Sequence, residues 1–139
     1  VSNSIIRNGR IIFTTLLPSD DPCDFGGSGW LMELNFATGA RLSYSPFDIT
    51  GDGLFTVEDF ICIANCDDDD PTNDVLVPSS GKKSDVGIIP TPSIASESGG
   101  QREFKYTSGS SGNIEVTVEN PGPGFVGRQS WRQLEFQFQ

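Results

Sequence analysis

Turn signals recur at short intervals along this chain, and between them apolar residues almost never fall at helical spacing. The clearest is Asn8-Gly9, flanked by Ile5-Ile6 and by Ile11-Ile12-Phe13. Both residues tolerate positive φ, as a two-residue hairpin turn requires, so residues 4–17 read as a hairpin. Its second strand, 10–17, is almost continuously apolar or β-branched, the pattern of a strand covered on both faces. A glycine-rich loop is expected over 24–29, a strand over 30–34, a turn at 37–40 and a returning strand over 41–44. Further on, 75–77 and 86–89 are short strand candidates, and 90–100 is linker-like. Residues 102–107 and 113–119 alternate apolar with polar side chains around a turn at 108–112, which predicts a second, half-exposed hairpin. Leu134, Phe136 and Phe138 alternate in the same way, as in a closing strand. The fold class that follows is all-β, built of antiparallel strands and hairpins. It divides into hairpins plus one loop over 1–65, an acidic and Pro/Ser-rich region over 66–100, and a hairpin with a closing strand over 101–139.

The loop is the twelve-residue run 48–59, DITGDGLFTVED. A calcium ion takes six to eight oxygens, and an EF-hand-like loop supplies them from alternating positions. Asp48 stands at position 1, Thr50 at 3 and Asp52 at 5. Gly53 stands at position 6, where the chain turns sharply. Leu54 at position 7 would offer its carbonyl, Thr56 at 9 a direct or water-mediated oxygen, and Asp59 would close the loop at 12. Two positions depart from the usual pattern: threonine at 3, and aspartate in place of the bidentate glutamate at 12. The expected site is single, of moderate affinity, and suited to millimolar extracellular Ca2+. It should follow a strand-like 42–44 and precede at most two helical turns within 57–65. The competing reading is an Asx/Gly-rich turn without an ion.

Charge narrows the partners. Nineteen acids against nine bases leave a formal charge of −10, which argues against nucleic acid and against an anionic membrane surface. No apolar run is long enough to cross a membrane. The chain lacks histidine, so Ser-His-Asp and Cys-His catalysis within it are excluded, and zinc loses its commonest ligand. Of three cysteines, Cys62 and Cys66 lie four apart, and a bridge between them requires a bent or non-helical backbone. Cys23 paired with either is equally open. With the calcium loop, the cysteines point to an oxidising compartment. The aspartate run 67–70 reads as a solvated loop, with a second cation site as the alternative. Trp30 and Trp131 read as core packing rather than as sugar-stacking platforms. The chain does not begin with methionine and shows no signal peptide, which fits a processed chain or a fragment.

Several runs carry a family resemblance: GRIIFTTLLPSDDPC at 9–23, FGG at 25–27, GWLMEL at 29–34, FDITGDG at 47–53 and GRQSWRQL at 127–134. They resemble the C-terminal domain of the PilC/PilY family, type IV pilus biogenesis factors and tip-located adhesins. The resemblance covers both ends of the chain and leaves 66–124 unmatched. It implies the last portion of a modified seven-bladed β-propeller with an EF-hand-like calcium loop. The corner at 34–39, LNFATG, is similar to those between propeller strands, with asparagine where they carry aspartate; an ordinary hairpin turn is the alternative. It also implies a non-enzymatic role in pilus biogenesis, adhesion and motility. The implied partners are pilus minor subunits, the remainder of the same propeller, and a host or surface ligand. The implied location is the cell surface, the pilus tip or the periplasm and outer membrane of a bacterium. The alternative is an extracellular, calcium-stabilised carbohydrate-binding or docking module. A quinoprotein-type dehydrogenase would need an adjacent cysteine pair, which the chain lacks.

Overall fold

A computed structural model describes residues 1–21, 25–66 and 70–123. The elements in chain order are β1 (Ile5–Arg7), β2 (Arg10–Pro18), β3 (Gly27–Asn35), a 3-10 turn (Val57–Asp59), β4 (Phe60–Ala64), β5 (Val75–Pro78), β6 (Gly81–Lys83), β7 (Ser93–Ser96), β8 (Glu103–Ser108) and β9 (Ile114–Glu119). They pair into an antiparallel sheet of order β1-β2-β3-β6, a two-stranded arm β4-β5, and a sheet β7-β8-β9. The all-β, antiparallel expectation holds among the described residues.

The first hairpin turns at Asn8 (φ 48°) and Gly9 (φ 75°), the left-handed pair that its sequence foretold. Arg7 then faces Arg10, and β2 runs nine residues against β3, from Arg10↔Asn35 to Pro18↔Gly27. Only one face of β2 is closed, and only as far as Thr14: Arg10, Ile12 and Thr14 are buried, Ile11, Phe13 and Thr15 on the opposite face are half-buried, and Leu16 and Leu17 at the end are exposed. The two-sided cover expected for this strand is therefore absent among the described residues.

Other expectations change too. Residues 27–29 open β3 instead of ending a loop, because their backbone pairs with Leu16, Leu17 and Pro18. Residues 41–44 form no strand; Phe47 alone makes an isolated bridge, to Glu119. The loop ends in one 3-10 turn, Val57–Asp59, and β4 follows directly, where up to two helical turns over 57–65 were expected. Residues 86–89 are not a strand, although Val86 and Ile89 are core residues. The linker-like stretch contains β7, held by pairing to β8. The closing strand expected at 134–138, Trp131, Cys23 and three of the four aspartates of the acidic run lie outside the described residues.

Extended β4 lets the chain double back after Ala64. Asn65 adopts φ 59°, and Cys62 and Cys66 form a disulfide with their Cα atoms 5.9 Å apart. Alkylation without reductant is expected to miss both, and opening so short a loop should cost about 2 kcal/mol by chain entropy. Peptide mapping that finds either thiol free in the native protein would contradict the pairing.

Two kinds of material sit between the large sheets. The apolar part is Ile12, Leu31, Phe47, Val86 and Ile89, with Ile5 and Ile94 packed against it. The rest is ionic. The buried face of β8-β9 consists of Glu103, Lys105, Thr107, Thr117 and Glu119, whereas Tyr106, Ile114 and Val116 face out. Arg10 donates to Glu33 Oε2 at 2.7 Å, to Glu103 Oε2 at 2.6 Å and to the Asn120 carbonyl at 2.9 Å. Lys105 pairs with Glu33 and Glu119, and Arg7 reaches Glu103 Oε1 at 2.6 Å from the rim. Burial pushes the Lys105 ammonium down to about 8, with Glu33 opposing it, so the lysine stays charged at neutral pH. Arg10, Lys105 and rim Arg7 thus balance three carboxylates across the sheet interface.

Candidate functional site

The 48–59 loop hangs between the Phe47 bridge and β4. The Asp48 N–H donates to the Val118 carbonyl at 3.3 Å, which ties the loop's first residue to β9. Gly51 (φ 79°) and Gly53 (φ 78°) supply the left-handed turns that curl the chain. The curl aims backbone N–H groups inward. Asp48 Oδ1 accepts from Gly51 at 2.7 Å and Asp48 Oδ2 from Gly53 at 2.9 Å. Asp59 Oδ1 accepts from Ile49 at 2.8 Å and Thr50 at 3.1 Å, and Asp59 Oδ2 from Thr56 at 2.9 Å.

Positions 1, 3 and 12 therefore meet. The Thr50 hydroxyl donates toward Asp48 Oδ1 at 3.5 Å and Asp59 Oδ1 at 3.2 Å, so three side-chain oxygens share one spot. Asp52 does not join them through its Oδ1, which accepts the Leu54 N–H at 2.8 Å. Leu54 is exposed. Thr56 caps the 3-10 turn, its hydroxyl oxygen accepting from Glu58 at 3.2 Å. Among the described residues no three His, Cys, Asp or Glu side chains cluster as metal ligands; the convergence is two carboxylates and a threonine. Such hard oxygens suit calcium or magnesium rather than a thiophilic metal. Loop carbonyls and waters would have to complete the shell.

Asp59 is 1% exposed. Burial pulls its carboxyl upward, but the hydrogen bonds from Thr56, Thr50 and Ile49 outweigh that and hold it below the usual range. Glu103 behaves alike: burial raises it, and Arg7 and Arg10 bring it net downward. Both groups bind a proton less readily in the fold than in the unfolded chain. Their stabilisation is complete above the ordinary carboxylate range and disappears as pH falls through the folded-state values. Denaturant midpoints should drop below about pH 4, and less steeply in Glu103→Gln. Parallel curves for the two proteins would refute Glu103's share.

Two features escaped the sequence. Arg102 flanks the loop from the β7-β8 turn, where it is paired with Glu97 at 2.7 and 3.1 Å. Nothing in a Gly-Gly-Gln-Arg turn announces a neighbour some fifty residues away. The ionic cluster was also hidden: the alternation Glu103-Phe104-Lys105-Tyr106 shows period two but not which set faces inward.

No family model matches the chain. Its sequence is 30% identical to the type IV pilus biogenesis factor PilY1 of Pseudomonas aeruginosa PAO1 over 131 residues, covering 90% of this chain and 9% of that protein. PilY1 of Pseudomonas aeruginosa UCBPP-PA14 is 30% identical over 125 residues. The fold is similar to the crystal structure of the Pseudomonas aeruginosa PilY1 C-terminal domain, with TM-score 0.62 and 20% identity over 88% of this chain and 20% of that one. The chain therefore belongs to the PilC/PilY family, in the part corresponding to the C-terminal domain. It spans about a tenth of the length of the curated relatives it matches.

Proposed function

We propose that this chain is a calcium-binding, non-enzymatic part of a pilus-associated assembly factor or tip adhesin. The meeting of Asp48, Thr50 and Asp59 carries the calcium reading, and membership of the PilC/PilY family carries the pilus reading. An ion at that spot would be held by Asp48, Thr50 and Asp59. Asp52, Thr56 and the Leu54 carbonyl would complete its shell, with Asp52 giving up its bond to Leu54. Bound there, the dication would offset repulsion between Asp48 and Asp59 and lock Phe47 and β4 in their relative places.

The four-stranded antiparallel sheet β1-β2-β3-β6 has the strand number of a propeller blade. A seven-bladed ring needs far more than 139 residues, so the remainder of the same propeller is one partner and pilus minor subunits are another. Among the described residues no helix is long and apolar enough to cross a membrane. Residence at the bacterial surface or in the periplasm accords with the Cys62–Cys66 disulfide.

In a bacterium lacking the parent gene, the parent protein carrying Asp48→Ala and Asp59→Ala should restore fewer surface pili than the unaltered protein at equal abundance. Equal piliation would count against a calcium-dependent role.

A further inference from the structure

We propose that Arg102 and Glu97 set the cation affinity of the 48–59 loop electrostatically, from across the cleft that separates the loop from the β7-β8 turn. The inference rests on the calcium reading above. The cleft has a volume of about 610 Å³, and Asp52 and Gly53 of the loop line it together with Arg102. Arg102 gives Nε and Nη2 to the Glu97 carboxylate at 3.1 and 2.7 Å. The third corner of its guanidinium, Nη1, points at the loop: a Cβ built on Gly53 would lie 3.3 Å from it. Gly53 is the residue whose N–H holds Asp48 Oδ2. A fixed positive charge therefore stands behind position 6, one residue from Asp52 and one hydrogen bond from Asp48, with a fixed negative charge paired to it.

The pair is only partly screened by solvent, its side chains being 41% and 31% exposed. A neighbouring cation disfavours a dication by ordinary Coulomb repulsion, and a neighbouring anion favours it. Glu97 thus offsets Arg102, and the balance between them tunes the loop. The arrangement gives two substitutions opposite effects on binding although both break the same ion pair. Arg102→Gln leaves Glu97 uncompensated, and calcium should bind about two- to fivefold more tightly at low ionic strength. Glu97→Gln leaves Arg102 uncompensated, and binding should weaken by a similar factor. The double variant should return close to the starting affinity. All three differences should shrink in 0.5 M salt, where charges are screened over shorter distances.

The experiment is calorimetric titration of CaCl2 into the protein and the three variants, each checked by circular dichroism and by melting in EDTA. Opposite shifts that fade with salt support the proposal. A purely structural pair would move both single variants in the same direction, and that result, or no shift in either, overturns the proposal while leaving the calcium reading intact. Absence of binding by the unaltered protein overturns both.

Discussion

Arg10→Met is expected to destabilise the domain by about 3–5 kcal/mol, the range for removing one partner from a buried ionic group. Arg10 is wholly buried, and its guanidinium serves Glu33, Glu103 and the Asn120 carbonyl at once. Without it, three buried carboxylates face Lys105 alone, with Arg7 at the rim. The desolvation cost of those charges then stands uncompensated, which is why the loss should exceed the net worth of the pairs. At roughly 3 °C per kcal/mol the melting point should fall by about 10–15 °C. The companion variant replaces the five buried members together, Arg10 and Lys105 by methionine and Glu33, Glu103 and Glu119 by leucine. It should recover most of the loss, because well-packed apolar groups commonly match or exceed a buried ion cluster in stability. A drop below about 1 kcal/mol for Arg10→Met would mean that the cluster is wet and weak.

Asp59→Ala is the second large effect, about 3 kcal/mol. The carboxylate takes the Ile49, Thr50 and Thr56 N–H groups and the Thr50 hydroxyl. Removing it leaves several donors of a tight loop unpaired at about 1–3 kcal/mol for each that water cannot reach. It also breaks the cap on the 3-10 turn, where Asp59 reaches back to the Thr56 N–H. Asp59→Asn keeps one acceptor oxygen and should lose less. Denaturant titration in EDTA measures the structural part, and repeating it in calcium measures how much of the ion's contribution depends on this residue. Equal stability of Asp59→Ala and the parent chain in EDTA would remove Asp59 from its place as the loop's anchor.

What could be read from the residues was local. Asn8-Gly9 fixes its own hairpin through backbone freedom, and the spacing of Asp48, Gly53 and Asp59 fixes a curled loop in the same way. The 108–112 turn likewise joined the right strands, β8 and β9. Legibility failed where distant pairing decides. β6 is three residues, Gly-Lys-Lys, made a strand by lying against Trp30, Leu31 and Met32. β7 owes its existence to β8. Residues 60–64 follow a cap that suggests a helix, yet pairing with Val75, Leu76, Val77 and Pro78 makes them β4. Tertiary contact overrides weak propensity in each case. The β8-β9 hairpin is the sharpest example. Its apolar residues would ordinarily mark the inner face, but Arg10 and Glu33 present buried charge from the opposing sheet, so Glu103, Lys105 and Glu119 turn inward to meet it. The alternation was visible; its phase depended on residues 72 and 93 positions away. For the loop, the sequence placed six candidate ligands in register, and three of them share one spot.

Melting the protein in excess calcium and again in EDTA tests the central claim most directly. A ligand that binds only the folded chain stabilises it by about 2.7 kcal/mol at a hundredfold excess over its dissociation constant, so the transition should rise by roughly 8 °C in calcium. Asp59→Ala should show no such rise. Superimposable curves for the unaltered protein, with and without the ion at tens of millimolar, would mean that the loop is a self-satisfied turn and that calcium has no place in it.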